Sequence, residues 1–178
     1  MKIDLWIILI AVLVALENCQ SFDQTVDRQQ VDWQPKTLLT LPQAESILGE
    51  KGHLLESSSF VENAILTYTN AYAADAVDKV SGKTGTLYFM FEEYPDIEAA
   101  ASSYRSILNA NKDHEGVQIL SDMGDEAYFH SDGNNFLFVL VRKNMAMIRI
   151  KVNKTTSFTS QEEFMRVSRS LTNSILVP

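Results

Sequence analysis

Apolar residues fall along this chain in three kinds of run, and the spacing of each predicts its elements. The first is unbroken, a dozen uncharged and mostly apolar residues from Leu5 to Leu16. A bilayer-spanning helix takes about 20 such residues, so this shorter run suits the core of an export signal. The second kind alternates with polar positions and predicts strands at Ala64–Ala73, Thr86–Glu92, Phe136–Arg142 and Met145–Val152. A further strand is predicted from Val117–Leu120 running on through Asp125–His130. The third kind recurs every three or four residues. Leu41–Gly49 is a short helix, with Pro42 suited to its first turn and Gly49 to a C-terminal cap of positive φ. After Pro95, Asp96 can cap a helix whose Ile97, Ala100, Ala101, Tyr104 and Leu108 share one face. Ser160-Gln161-Glu162-Glu163 is a capping box opening a last helix, with Phe164, Val167, Leu171 and Ile175 as its buried stripe.

The predicted order is α-β-β-α-β-β-β-α, an α+β domain on a mainly antiparallel sheet of about five strands. Two of its strands are apolar in both alternating registers. Leu87, Phe89 and Phe91 oppose Tyr88 and Met90, and Phe136, Phe138 and Leu140 oppose Leu137, Val139 and Val141. Strands apolar on both faces are covered on both faces, which predicts helices on either side: an α-β-α sandwich with Phe138 and Val139 both buried. A second face left half open would instead form an apolar groove. Phe89, Phe91, Phe136, Phe138 and Met147 are the candidate ligand-binding residues of such a groove, which would suit a lipid tail, a small apolar ligand or a partner helix.

The chain's single cysteine, Cys19, follows the N-terminal apolar run at the distance a bacterial lipoprotein requires. Lipid attaches through sulfur, and a second acyl chain on the new amino terminus makes the anchoring stable. The reading gives a signal peptide over 1–18, a flexible tether over 19–37 and a single domain over 38–178. The tether is rich in Gln and Asp, with Trp33 its one large exception. Glu17 and Asn18 stand where a lipoprotein signal usually has small residues. A plain secretory signal or an uncleaved anchor shares the same apolar run, and all three predict export. The predicted location is the bacterial envelope, lipid-anchored and facing the periplasm or the exterior, with the membrane as one partner and an envelope protein as another.

Charge narrows the partners. The chain carries 15 basic and 23 acidic residues, a net charge of −8, and such a surface repels phosphate backbones; nucleic acid is not an expected partner. Arg142, Lys143, Arg149, Lys151, Lys154, Arg166 and Arg169 crowd one stretch, either as solvated strand and helix faces or as a local basic patch. One cysteine excludes an internal disulfide and a cysteine-based zinc cluster.

No motif carries catalytic chemistry. Gly124-Asp125-Glu126, with Asp113 and Asp122, lacks the alternating oxygen ligands of a calcium loop and reads better as a glycine-permitted kink. His53, His114 and His130 lack metal-ligand spacing. Met145 and Met147 read as gap-filling core residues rather than a copper pair. Ser57-Ser58-Ser59 has no nucleophile context, and the acids Glu92, Glu93, Asp96 and Glu98 suit a helix start on dipole grounds. No catalytic residue, metal or cofactor is predicted.

Ile47-Leu48-Gly49 closing the first helix, the helix around Tyr104, and the run Met123-Gly124-Asp125-Glu126-Ala127-Tyr128 together resemble a known group. They are similar to uncharacterised bacterial envelope lipoproteins with PsbP-like α-β-α sandwich domains, over roughly residues 38 to 176. The resemblance implies a non-enzymatic envelope protein with no shared catalytic residues. The expected function is a non-catalytic accessory or protein-binding module, the alternative being a carrier or sensor of an apolar small ligand.

Overall fold

The computed structural model describes residues 29–32, 34, 35 and 38–175. Along the chain these form β1 (Gln29–Gln30), α1 (Leu41–Leu48), β2 (Gly52–Glu62), β3 (Ile65–Ala74), β4 (Thr86–Glu93), α2 (Ile97–Asn111), β5 (Val117–Leu120), β6 (Glu126–Ser131), β7 (Phe136–Lys143), β8 (Ala146–Asn153) and α3 (Gln161–Ser174). All eight strands join one antiparallel sheet in the spatial order β1-β2-β3-β4-β8-β7-β6-β5. The expectation of five strands in the order α-β-β-α-β-β-β-α is therefore corrected. The fold is α+β, with an eight-stranded sheet and three separate helices.

Two strands account for most of the correction. In β2, Leu54 and Leu55 are adjacent, and the pairing register shifts between Leu54 and Glu56. Such a bulge breaks the alternation that announces a strand, and both leucines end up largely exposed. The serines that follow carry no apolar signal and are held by polar cross-strand contacts. Ser57 Oγ and Tyr68 Oη share a hydrogen bond at 3.1 Å, and Ser58 Oγ and Thr69 Oγ1 share one at 2.8 Å. The stretch expected as one strand from Val117 to His130 is two, β5 and β6, folded back on each other.

The turn between them explains Gly124-Asp125-Glu126. Gly124 has φ +63, and a Cβ there would lie 2.5 Å from the Arg142 carbonyl oxygen. The Arg142 side chain is buried and donates to Glu126 Oε2 at 2.6 Å, to Asp125 Oδ2 at 2.9 Å and to the Asn144 carbonyl at 2.9 Å. Both carboxylates close a turn rather than a metal site. Ala127 then enters one core and Tyr128 the other.

The first face of the sheet carries Leu87, Phe89, Phe91, Val139, Val141, Ile148 and Ile150 in one continuous core. Helices α1 and α3 cover it with Ala44, Ile47, Leu48, Phe164, Val167 and Leu171. Gly49 ends α1 in a left-handed conformation with φ 76, where its N–H reaches Glu45 O and any Cβ would run into the Phe158 carbonyl. On the second face α2 stands alone among the described residues. Its Ala100 and Tyr104 pack with Tyr94, Tyr128, Leu140 and Met147, the rings of Tyr104 and Tyr128 meeting edge-on at 6.2 Å.

One helix spans only part of a broad sheet. Helix α2 lies over β7 and β8, while among the described residues no helix packs across the second face of β2, β3 and β4. The closed PsbP-like α-β-α sandwich is thus corrected as well. Val139 is fully buried, but Phe138 on the opposite face is only half-buried.

Part of the expected tether meets the sheet. Gln29 and Gln30 pair with Val61 and Phe60 of β2, the Val31 N–H donates to Ser59 O at 3.2 Å, and Ser59 Oγ donates to the Val31 carbonyl. Pro35 is buried. Cys19, the expected export signal and Trp33 lie outside the described residues.

Candidate functional site

The open part of the second face holds a hollow of about 360 Å³ with a predominantly apolar lining. Strand register builds it. Glu56 pairs with Ala71, Ala71 with Tyr88, Tyr88 with Lys151 and Lys151 with Phe138, so one row of side chains crosses β2, β3, β4, β8 and β7. The adjacent row is Thr69, Met90 and Arg149. Ala71, Thr69 and Met90 form the floor, and Tyr88, 46% exposed, stands at the mouth. The charged walls differ: Lys151 and Arg149 lie on the β8 side, and Glu56 lies across the floor on β2.

Arg149 is tied at one end. Its Nη2 contacts Glu92 Oε2 at 2.8 Å, and Tyr94 Oη donates to the same oxygen at 3.3 Å while hydrogen-bonding Ser103 Oγ of α2 at 2.9 Å. Burial raises the Glu92 carboxyl above its ordinary range, and the Arg149 charge partly opposes that shift. The Arg149 Nε is shut away from solvent with no hydrogen-bond acceptor. A donor buried without an acceptor costs about 1–3 kcal/mol. A second, more polar hollow of about 440 Å³ lies beside α2, between Asn63, Ile65 and Tyr94 and the small residues Ala99, Ser102, Ser103 and Ser106. The Ser103–Tyr94–Glu92–Arg149 chain links the two.

The five residues named from the sequence do not share one site. Phe89 and Phe91 point into the first-face core, and Phe89, 1% exposed, reaches the groove floor only through the strand backbone. Met147 is buried under α2. Phe136 stacks edge-on with His130 at 4.9 Å, beyond the groove lining. Phe138 alone of the five places its side chain in the groove. The groove residues absent from the expected set are Glu56, Thr69, Asn70, Ala71, Tyr88, Met90, Arg149 and Lys151. Alternation already puts Tyr88 with Met90, and Arg149 with Lys151; the missing information was which strands stand side by side.

The other sequence candidates have structural partners. His53 contacts Asp75 at 2.6 Å on the surface, Asp96 caps α2 through the Ala99 N–H at 2.7 Å, and Asp122 pairs with Arg169 at 3.0 Å. His114 and His130 come within 5.9 Å, yet no group of three or more metal-ligating side chains occurs among the described residues. The seven basic residues do not form one patch: Arg142 of β7 braces the β5–β6 turn, Arg166 pairs with Glu163 and Lys143 donates to the Thr172 carbonyl, which leaves Arg149 and Lys151 together on β8. Comparison with family models, curated proteins and solved structures gives no match to this chain.

Proposed function

We propose that this chain is a non-catalytic envelope lipoprotein, held to a membrane through lipid on Cys19, whose domain is a binding module. The groove over β3, β4 and β8 is its binding surface. One observation carries the reading. A sheet that buries its first face under two helices leaves an apolar strip of its second face in solvent, flanked by Tyr88 and Phe138. Exposed apolar strips of this kind mark places where something else binds. A hollow of about 360 Å³ falls at the small end of the range for ligand pockets, which favours an apolar small ligand as the occupant. A protein partner laid along the same strip is the second reading, supported by the exposure of Tyr88.

The neutral dye Nile red tests the groove without reference to charge. The full mature chain should raise its fluorescence, and Met90→Asp should abolish that rise while leaving the circular dichroism spectrum unchanged. Dye binding that survives Met90→Asp, or a wild-type chain that binds none, removes the groove as the binding surface. For the anchor, mass spectrometry of the mature N-terminus should find an acylated Cys19; a free N-terminus beyond it would rule lipidation out.

A further inference from the structure

We infer that the groove takes a single-chain carboxylate amphiphile, a fatty acid, with its chain along the apolar floor and its carboxylate on the β8 wall at Lys151 and Arg149. The inference rests on the groove being the binding surface and adds the chemistry of the occupant.

The two walls select its direction. On the β8 side Lys151 stands between Tyr88 and Phe138 in one row, with Arg149 between Met90 and Leu140 in the next. The acid in contact with this pair is Glu92, which takes the Arg149 Nη2. Two cations against one carboxylate leave the wall positive. Across the floor, Glu56 repels an anionic head from the β2 side. A carboxylate therefore settles at β8 and its chain runs over Ala71, Thr69 and Met90. The surrounding surface is acidic overall, with a net charge of −8, so this wall is a local exception to a field that otherwise repels anions. The volume admits one chain with a small head rather than a bulky cofactor.

Displacement of Nile red by decanoate and by decanol, equal in chain length, tests the inference on the full mature chain. Decanoate should displace the dye at about ten-fold lower concentration than decanol, since only the acid gains charge-assisted bonds. Lys151→Glu, at an exposed position that the core does not need, should erase that difference. Salt at about 0.5 M should narrow it in the wild type by screening the wall. Equal displacement by acid and alcohol would overturn the carboxylate while leaving the groove intact. A preference for decanoate that survives Lys151→Glu would overturn the placement of the head. A chain that binds no Nile red would fail the groove itself, and the inference with it.

Discussion

Asp78 joins two loops that lie far apart in sequence. Its buried carboxylate accepts the N–H of Ser157 at 2.8 Å, and locally the N–H of Val80 at 2.9 Å and the hydroxyl of Ser81 at 2.6 Å. These donors, the Ser157 N–H foremost, hold its pKa well below the ordinary carboxylate range. The side chain of Asp132 is held down in the same way by Asn135 and Asn134 in the β6–β7 turn. The sign follows directly. A carboxyl depressed by folding stabilises the fold fully above its unfolded value near 3.8, and that contribution is lost progressively as pH falls from there towards the lower folded value. Glu92 runs the other way, because burial makes its charged form the costly one and acid relieves it. Asp78→Asn should therefore lower the melting temperature at neutral pH, yet lose less than the wild type on going from about pH 6 to pH 3. Parallel melting curves across that range would show that Asp78 does not set the acid limb.

At the scale of elements, α2 depends on one side chain. Tyr104 is buried among Tyr128, Leu140 and Met147, and burial pushes its phenol strongly upward. Tyr104→Ala should cost about 3–5 kcal/mol, as large aromatic truncations in cores do. Tyr104→Phe, which keeps the ring, should cost under about 1 kcal/mol by denaturant unfolding. A large loss from the phenylalanine variant would mean that the hydroxyl, rather than the ring, secures the helix. The three helices were legible because caps and stripes are local: Thr40 to Gly49, Asp96 onward, and Ser160 with Glu163. Strands β3, β4, β7 and β8 were legible for the same reason. The β2 strand was not, because a bulge and three serines replace the apolar alternation, and the β5–β6 turn read as a kink inside one strand because β5 is only 4 residues long. The groove was only half legible. Alternation assigns faces within a strand, but joining Tyr88 to Lys151 and Phe138 needs the lateral order of strands, a property of contacts distant in sequence.

The whole molecule is a sheet with unequal sides, and substitutions should report that inequality. Val139 and Phe138 are neighbours in β7 that point to opposite faces. Val139→Asp puts an unpaired charge into the continuous core and should unfold the domain, a loss of more than about 4 kcal/mol. Phe138→Asp meets the groove, where the new carboxylate can reach water and Lys151, and should leave a folded monomer. Size-exclusion chromatography with thermal melts distinguishes them; a Phe138→Asp chain as unfolded as Val139→Asp would mean the second face is closed after all. The edge of this sheet also sets how the molecule answers a pull. The chain upstream of Gln29 departs from a strand of two residues held on β2 at Val61, Phe60 and Ser59. Tension along the N-terminal segment falls on those few bonds before it reaches α1. Residues 29 to 38 could then span at most about 33–36 Å. If the chain is anchored as proposed, the domain under load would first lengthen this segment and keep its core, moving the groove outward with the sheet beneath it unbroken.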